Sequence, residues 1–111
     1  MTKTSATLAE YASGISCDAL PLEVRQRAKQ LVLDITGIAL RARHDAESTP
    51  SLIAAVERLG LAGGNASVIG DEASYAPSTA ALINGSLAHS LDFDDTHAAA
   101  SLHTSAPIVP A

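Results

Sequence analysis

The sequence predicts an all-α chain of four to five helices with at most one short extended segment. Three observations carry this reading. Apolar residues recur at spacings of three and four along four separate stretches. Pro21, Pro50 and Pro77 each stand where such a stretch begins, at the helix position where a missing N–H costs least. The composition is 47% apolar but only 3% aromatic, so the core has to be aliphatic and alanine-rich, as in closely packed helices.

The first helix spans about residues 5–15, where Leu8, Tyr11, Ala12 and Ile15 make one apolar stripe. A connector leads to a long helix from Pro21 to about Arg43. Its continuous face is Val24, Ala28, Leu31, Ile35, Ile38 and Ala39. From Leu31 to Leu40 the helix is apolar nearly all round, which predicts burial on several sides and a partner for Asp34. Arg41, Arg43 and His44 suit the negative end of the helix dipole, so His44 is read as structural or solvated. Thr49-Pro50 reads as an N-cap and first-turn proline for a helix over about 50–59, with Leu52, Ile53, Val56 and Leu59 inward and Gly60 closing it. Residues 66–70 form the one short extended candidate, without an evident pairing partner. A further helix covers about 77–91, with Ala80, Ile83, Leu87 and Leu91 on its apolar side. Thr104, Ser105 and Pro107 mark another helix start.

One domain at most fits in 111 residues, and its single core gives a stability of several kcal/mol at best, on the order of that of other small domains. The formal charge of −5 argues against a nucleic-acid partner, which needs a basic face. Cys17 stands alone, so no intrachain disulfide forms. No apolar run reaches the roughly 18–20 residues of a membrane span, and the N-terminus lacks a signal-peptide apolar stretch. A cytoplasmic protein without a membrane partner is the expectation. No dinucleotide fingerprint or P-loop is present.

Residues 84–107 hold Asp92, Asp94 and Asp95 together with His89, His97 and His103, three of the four histidines of the chain. Acid–base groups are costly to bring near an aliphatic core, so their density calls for a chemical explanation. His89 and Asp92, three apart on the expected helix, fall on neighbouring parts of one face. Asp94, Asp95 and Thr96 fall at the helix exit, where carboxylates oppose the dipole. His103 precedes a helix N-terminus, which can receive a substrate carboxylate. Such a set suits proton abstraction beside a carboxylate coupled to protonation of a leaving group. The structural alternatives are capping or solvation for Asp94 and Asp95, local hydrogen bonding for His97, a satisfied core imidazole for His89, and close backbone packing for Asn84-Gly85. No zinc spacing such as His-Glu-x-x-His occurs, and no metal is assigned. Asp92-Phe93-Asp94-Asp95 spells the Asp-x-Asp-Asp of protonation-initiated terpene cyclases. Those enzymes steady carbocations on aromatic faces, and one Phe, two Tyr and no Trp argue against that reading.

Several runs, in order, resemble the 2-methylcitrate dehydratase (MmgE/PrpD) family, which includes cis-aconitate decarboxylase and iminodisuccinate epimerase. They are Leu8-Ala-Glu-Tyr-Ala12, residues 27–37, residues 66–70, Ala80-Ala-Leu-Ile-Asn-Gly85, His89, Asp92-Phe-Asp-Asp-Thr-His97 and Leu102-His-Thr-Ser-Ala-Pro107. The resemblance implies that residues 1–111 are the N-terminal part of a large helical domain, about the first quarter of a family member, with a smaller lid domain outside this chain. It implies a cofactor-independent lyase or isomerase acting on small polycarboxylates, with dehydration of a substrate such as 2-methylcitrate in propionate metabolism as the leading expectation. Decarboxylation or epimerisation of a related acid is the first alternative. A non-catalytic helical fragment or assembly module is the second. By motif position, Asp92 and His103 are the expected catalytic residues, and Thr96 and His103 the substrate-binding ones. Asn84, His89, Asp94, Asp95 and His97 are supporting. The family's remaining pocket residues lie beyond Ala111, so this chain alone is expected to be inactive and the whole protein to be a homodimer.

Overall fold

The computed structural model describes residues 3–111. Met1 and Thr2, which belong to the expected domain 1–111, lie outside the described residues. Five α-helices dominate, and the described chain divides into two compact units, up to Gln30 and from Leu31 onward.

The first unit holds α1 (Lys3–Gly14), a 3₁₀ turn (Cys17–Ala19) and the start of α2 (Leu22–Asp45). The expected apolar stripe of α1 exists but faces outward: Leu8, Tyr11 and Ile15 are exposed, and α1 buries no residue.

The second unit contains the remainder of α2, then α3 (Thr49–Arg58), β1 (Ala62–Ser67), β2 (Ser74–Tyr75), α4 (Pro77–His89), β3 (Thr96–His97), β4 (Leu102–His103) and α5 (Ser105–Ile108). Its core is small-residue and aliphatic: Ala39, Ala42 and Ala46 of α2 and the turn after it meet Val56, Val68, Tyr75, Ala80, Ile83 and Leu87. Ile35, Ala88 and Ala106 form a second buried group with Val109 against it. The expected burial of residues 31–40 on several sides is corrected. Ile35, Ile38 and Ala39 are buried, whereas Val32, Leu33 and Leu40 are exposed. Asp34 lies on the exposed side and needs no buried partner. A single stripe of this helix finds core within the unit, and nothing in the unit covers the rest.

Local signals set the helix ends. Gly60 takes a left-handed φ of 68°, donates its N–H to the Glu57 carbonyl, and lets the Leu61 N–H reach the Val56 carbonyl. These two bonds close α3 in the Schellman manner. Thr49 does not cap α3 with its side chain. Its buried hydroxyl donates instead to the Ala42 carbonyl at 2.9 Å, tying α3 to α2.

The extended content exceeds the one short segment that residues 66–70 predict. The stretch shifts to 62–67 and pairs antiparallel with Ser74–Tyr75, and a second antiparallel pair joins β3 to β4. Strands of two residues carry no readable alternation, so only the fold reveals them. Ala62 and Ala66 both oppose Tyr75, which marks a bulge around Gly63 and Gly64. Gly64 is required there: its φ is 141°, and a Cβ would lie 2.3 Å from the Tyr75 carbonyl oxygen.

A polar knot secures this hairpin to α2. The Arg43 guanidinium donates to Asp71 Oδ2 at 3.0 and 3.2 Å, and the Tyr75 hydroxyl donates to the same oxygen at 3.2 Å. Burial pushes the Asp71 carboxyl up, but the Ala73 N–H and Arg43 outweigh it and leave Asp71 below its ordinary value. Burial and the facing Asp71 carboxylate push the Tyr75 phenol up. Among the described residues no helix is long and apolar enough to cross a membrane.

Candidate active site

The polar segment begins where α4 stops. The helix ends at His89, two residues short of the expected 91, so Asp92 does not share a helical face with His89. Asp92 takes a left-handed φ of 55° and donates its N–H to the His89 carbonyl. Aspartate tolerates this conformation better than most side chains, and here it turns the chain back across the helix end.

That turn brings Asp94 under the two imidazoles. Asp94 is the buried hub of the site, with its side chain fully covered. His89 Nδ1 lies 3.0 Å from Asp94 Oδ1 and 3.2 Å from Oδ2. His103 Nδ1 lies 3.1 Å from Oδ2 of the same carboxylate. The two rings meet edge to face, with centroids 4.8 Å apart. His103 Nε2, on the far side of its ring, is 4.0 Å from Asp92 Oδ1. The Asp92 side chain is 82% exposed and the His103 side chain 33%, so the pair faces outward from the hub.

Thr96 joins this group through the second hairpin. It is the register partner of His103, and directly opposed residues project from the same face of an antiparallel pair. His97 is opposite Leu102 and, by alternation, on the other face. There its Nδ1 accepts the Ala100 N–H at 3.2 Å, which is the local role that its exposed position suits.

Asp95 and Asn84 stand apart from the imidazole pair. Asp95 accepts the Thr104 hydroxyl at 2.9 Å and the Ser105 N–H at 3.2 Å. It thereby holds the first N–H of α5, and the expectation that this helix end is open to a substrate carboxylate is corrected for Ser105. Asn84, buried in α4, accepts the Ile69 N–H at 2.8 Å and donates to the Ser67 carbonyl at 3.1 Å. It satisfies backbone groups of the chain leaving β1, which would otherwise be unpaired near the core. Its support is structural.

The hydrogen bonds of Asp95 have a pH signature. The Ser105 hydroxyl, more than offsetting burial together with the Thr104 hydroxyl and the Ser105 N–H, holds Asp95 below the ordinary 3.8. A depressed folded value stabilises the fold above the unfolded value, and that stabilisation disappears as pH falls through the folded one. Asp95→Asn should therefore melt below the wild type at pH 7, with the gap closing as pH falls below about 4. Thermal melts across that range test this; a gap constant down to pH 2 would remove Asp95 from the role.

His89 and His103 both line a surface groove of about 570 Å³ between α4 and α5, whose other walls include Leu82, Gly85, Ser86 and Ala106. It is largely apolar, with the imidazoles as its polar end. Among the described residues, His89, Asp92, Asp94 and His103 each offer one ligand atom within 4.8 Å of the others, so a divalent cation has a donor set here. Both Nδ1 atoms are already turned to Asp94, and an ion bound through them would have to displace that contact.

Two expected site residues, Asp92 and His103, thus converge with His89 and Asp94, Thr96 is placed opposite His103 by register, and Asn84, Asp95 and His97 do other work. Sequence reasoning underrated Asp94. Residue 94 lies outside any helix or strand, so no periodicity signals its burial. The remaining clue, an acid five residues after one histidine and nine before another, is too common to single it out.

The MmgE/PrpD N-terminal domain model matches residues 6–111. The "Cis-aconitate decarboxylase-like protein oryM" of Aspergillus oryzae (strain ATCC 42149 / RIB 40) is 34% identical over 109 residues, covering 96% of this chain. The chain spans 22% of that relative's length. No solved structure matches.

Proposed function

From the premise that this chain belongs to the MmgE/PrpD family, we propose that it supplies one wall of an acid–base lyase site for a small polycarboxylate, in a polypeptide that carries further pocket residues. The observation that carries this is the convergence of His103, Asp92 and the Asp94-bound His89 beside an open groove that the two imidazoles line.

Abstraction of a proton from carbon beside a carboxylate needs a base with an accessible lone pair and a stable counter-charge. His103 Nε2 provides the lone pair, and Asp94 behind the ring opposes the positive charge that protonation creates. Asp92, next to Nε2, is a second proton acceptor or an orienting group for a substrate hydroxyl. Thr96, on the face of His103, donates to a substrate oxygen. In dehydration of a hydroxy-polycarboxylate, the base takes the carbon-bound proton, the C–O bond breaks, and an acid returns a proton so that water leaves and a C=C bond remains. Dehydration of a substrate such as 2-methylcitrate is the reading we favour for this chemistry.

The relative's name favours a second outcome. In decarboxylation the C–C bond to a carboxylate breaks, CO₂ departs, and the same acid delivers a proton to carbon. The groups described here serve either reaction. Assaying a protein that includes the rest of the family architecture against 2-methylcitrate and cis-aconitate separates them. Loss of water from the first supports the dehydratase reading, CO₂ from the second supports the alternative, and turnover of neither rejects both. Cytoplasmic location and a homodimeric whole protein remain part of this proposal.

A further inference from the structure

We propose that Asp94 is the positioning residue of this site: one buried carboxylate that fixes the tautomer and direction of two imidazoles at once and makes His89 a second ligand-facing ring. This deepens the lyase reading and rests on it for its catalytic meaning.

The argument starts from donor and acceptor capacity. An ionised carboxylate only accepts hydrogen bonds. The hydrogen bonds to Asp94 side-chain oxygens come from His89 Nδ1 and His103 Nδ1, at 3.0 to 3.2 Å. Each ring, when neutral, therefore carries its proton on Nδ1 and leaves a lone pair on Nε2. A buried carboxylate without such donors would be strongly disfavoured, so the arrangement is mutually enforcing. The tautomer is set by the bond that the other ring nitrogen makes, as in histidine general bases held by a buried acid.

The geometry then distributes roles. His103 Nε2 looks toward exposed Asp92, and His89, 55% exposed in its side chain, lines the same groove. The ring centroids are 4.8 Å apart and both rings line the groove, so one ligand can meet both. A polycarboxylate offers both a carbon acid and several carboxylates. Two rings of the same tautomer can divide these, one taking the proton while the other, once protonated, holds a carboxylate. His97 cannot join: its Nδ1 accepts a backbone N–H, which commits its proton to Nε2 when neutral.

Ring-¹⁵N spectra of histidine-labelled protein at about pH 8, where unperturbed imidazole is neutral, test the proposal without requiring turnover. His89→Gln and His103→Gln assign the signals. The expected result is Nδ1–H with an unprotonated Nε2 at both His89 and His103, and the opposite tautomer at His97. In Asp94→Ala neither ring keeps an acceptor for Nδ1–H, so the preference for Nδ1–H should be lost at both. Either ring found as Nε2–H, or averaging between tautomers, in the wild type overturns the proposal. So does a folded Asp94→Ala variant in which both rings keep the wild-type state; if that variant does not fold, the wild-type spectrum decides alone. Correct tautomers in a protein that turns over neither acid would reject the lyase reading and leave the positioning role standing. Turnover with wrong tautomers would do the reverse.

Discussion

His103→Ala is expected to lower kcat/KM at least a hundredfold in a protein that carries the whole family pocket, and Asp92→Asn to do the same. A hundredfold is about 2.7 kcal/mol of transition-state stabilisation, the scale on which a general acid or base operates. His103 is the better placed of the two: its Nδ1 is anchored on buried Asp94 and its Nε2 is directed outward. Removing the ring deletes the proton acceptor and strands the Asp94 charge beside a single partner. Asp92→Asn keeps the size of the side chain and its tolerance of the left-handed backbone, so a loss there reports on the carboxylate and not on folding. Steady-state kinetics on both variants check the assignment. Near-normal rates in both would sink the roles given to them, whichever acid is the substrate.

Leu87→Ala should destabilise the second unit by about 2–5 kcal/mol, as removal of a fully buried leucine does when the surroundings cannot close. Leu87 has no exposed surface and packs in the main core beside Ile83. Its neighbours include alanines of α2 and Ala80 of α4, whose short side chains cannot reach into the space left behind. Leu82→Ala on the same helix is the control. Leu82 is 56% exposed, and its loss should cost only about 0.5 kcal/mol. Urea unfolding of the two variants measures the difference; equal midpoints would refute the placement of the core. Leu87 also lies two residues before His89, the end of α4 from which the site is hung, so the core and the site share this support.

Much of this architecture is legible along the chain. The long helix, the Pro50 and Pro77 starts and the Gly60 stop follow from local rules that act within one or two helical turns. The polar residues of the site are visible as a cluster because aliphatic neighbours make them conspicuous. The apolar surface of α2 is legible too, but not its fate. Ile35 lies on the continuous apolar face and is buried, whereas Leu33, off that face but read as buried in the all-round apolar stretch, is exposed, because burial depends on which side meets a neighbour.

The sequence by itself determined the all-α class and the order of the helices, since helical periodicity and proline and glycine geometry are local properties; the candidates Asp92, Thr96 and His103 rest on motif position within the family resemblance. Only the tertiary structure decided that Asp94 is the hub, that Asp95 holds α5, that Asn84 braces the chain beyond β1, and that His97 faces away. Those assignments depend on groups 5 to 17 residues apart meeting across turns and short strands. A hydrogen bond between such groups leaves no period in the chain, and a left-handed turn at one aspartate is enough to redirect every side chain that follows it.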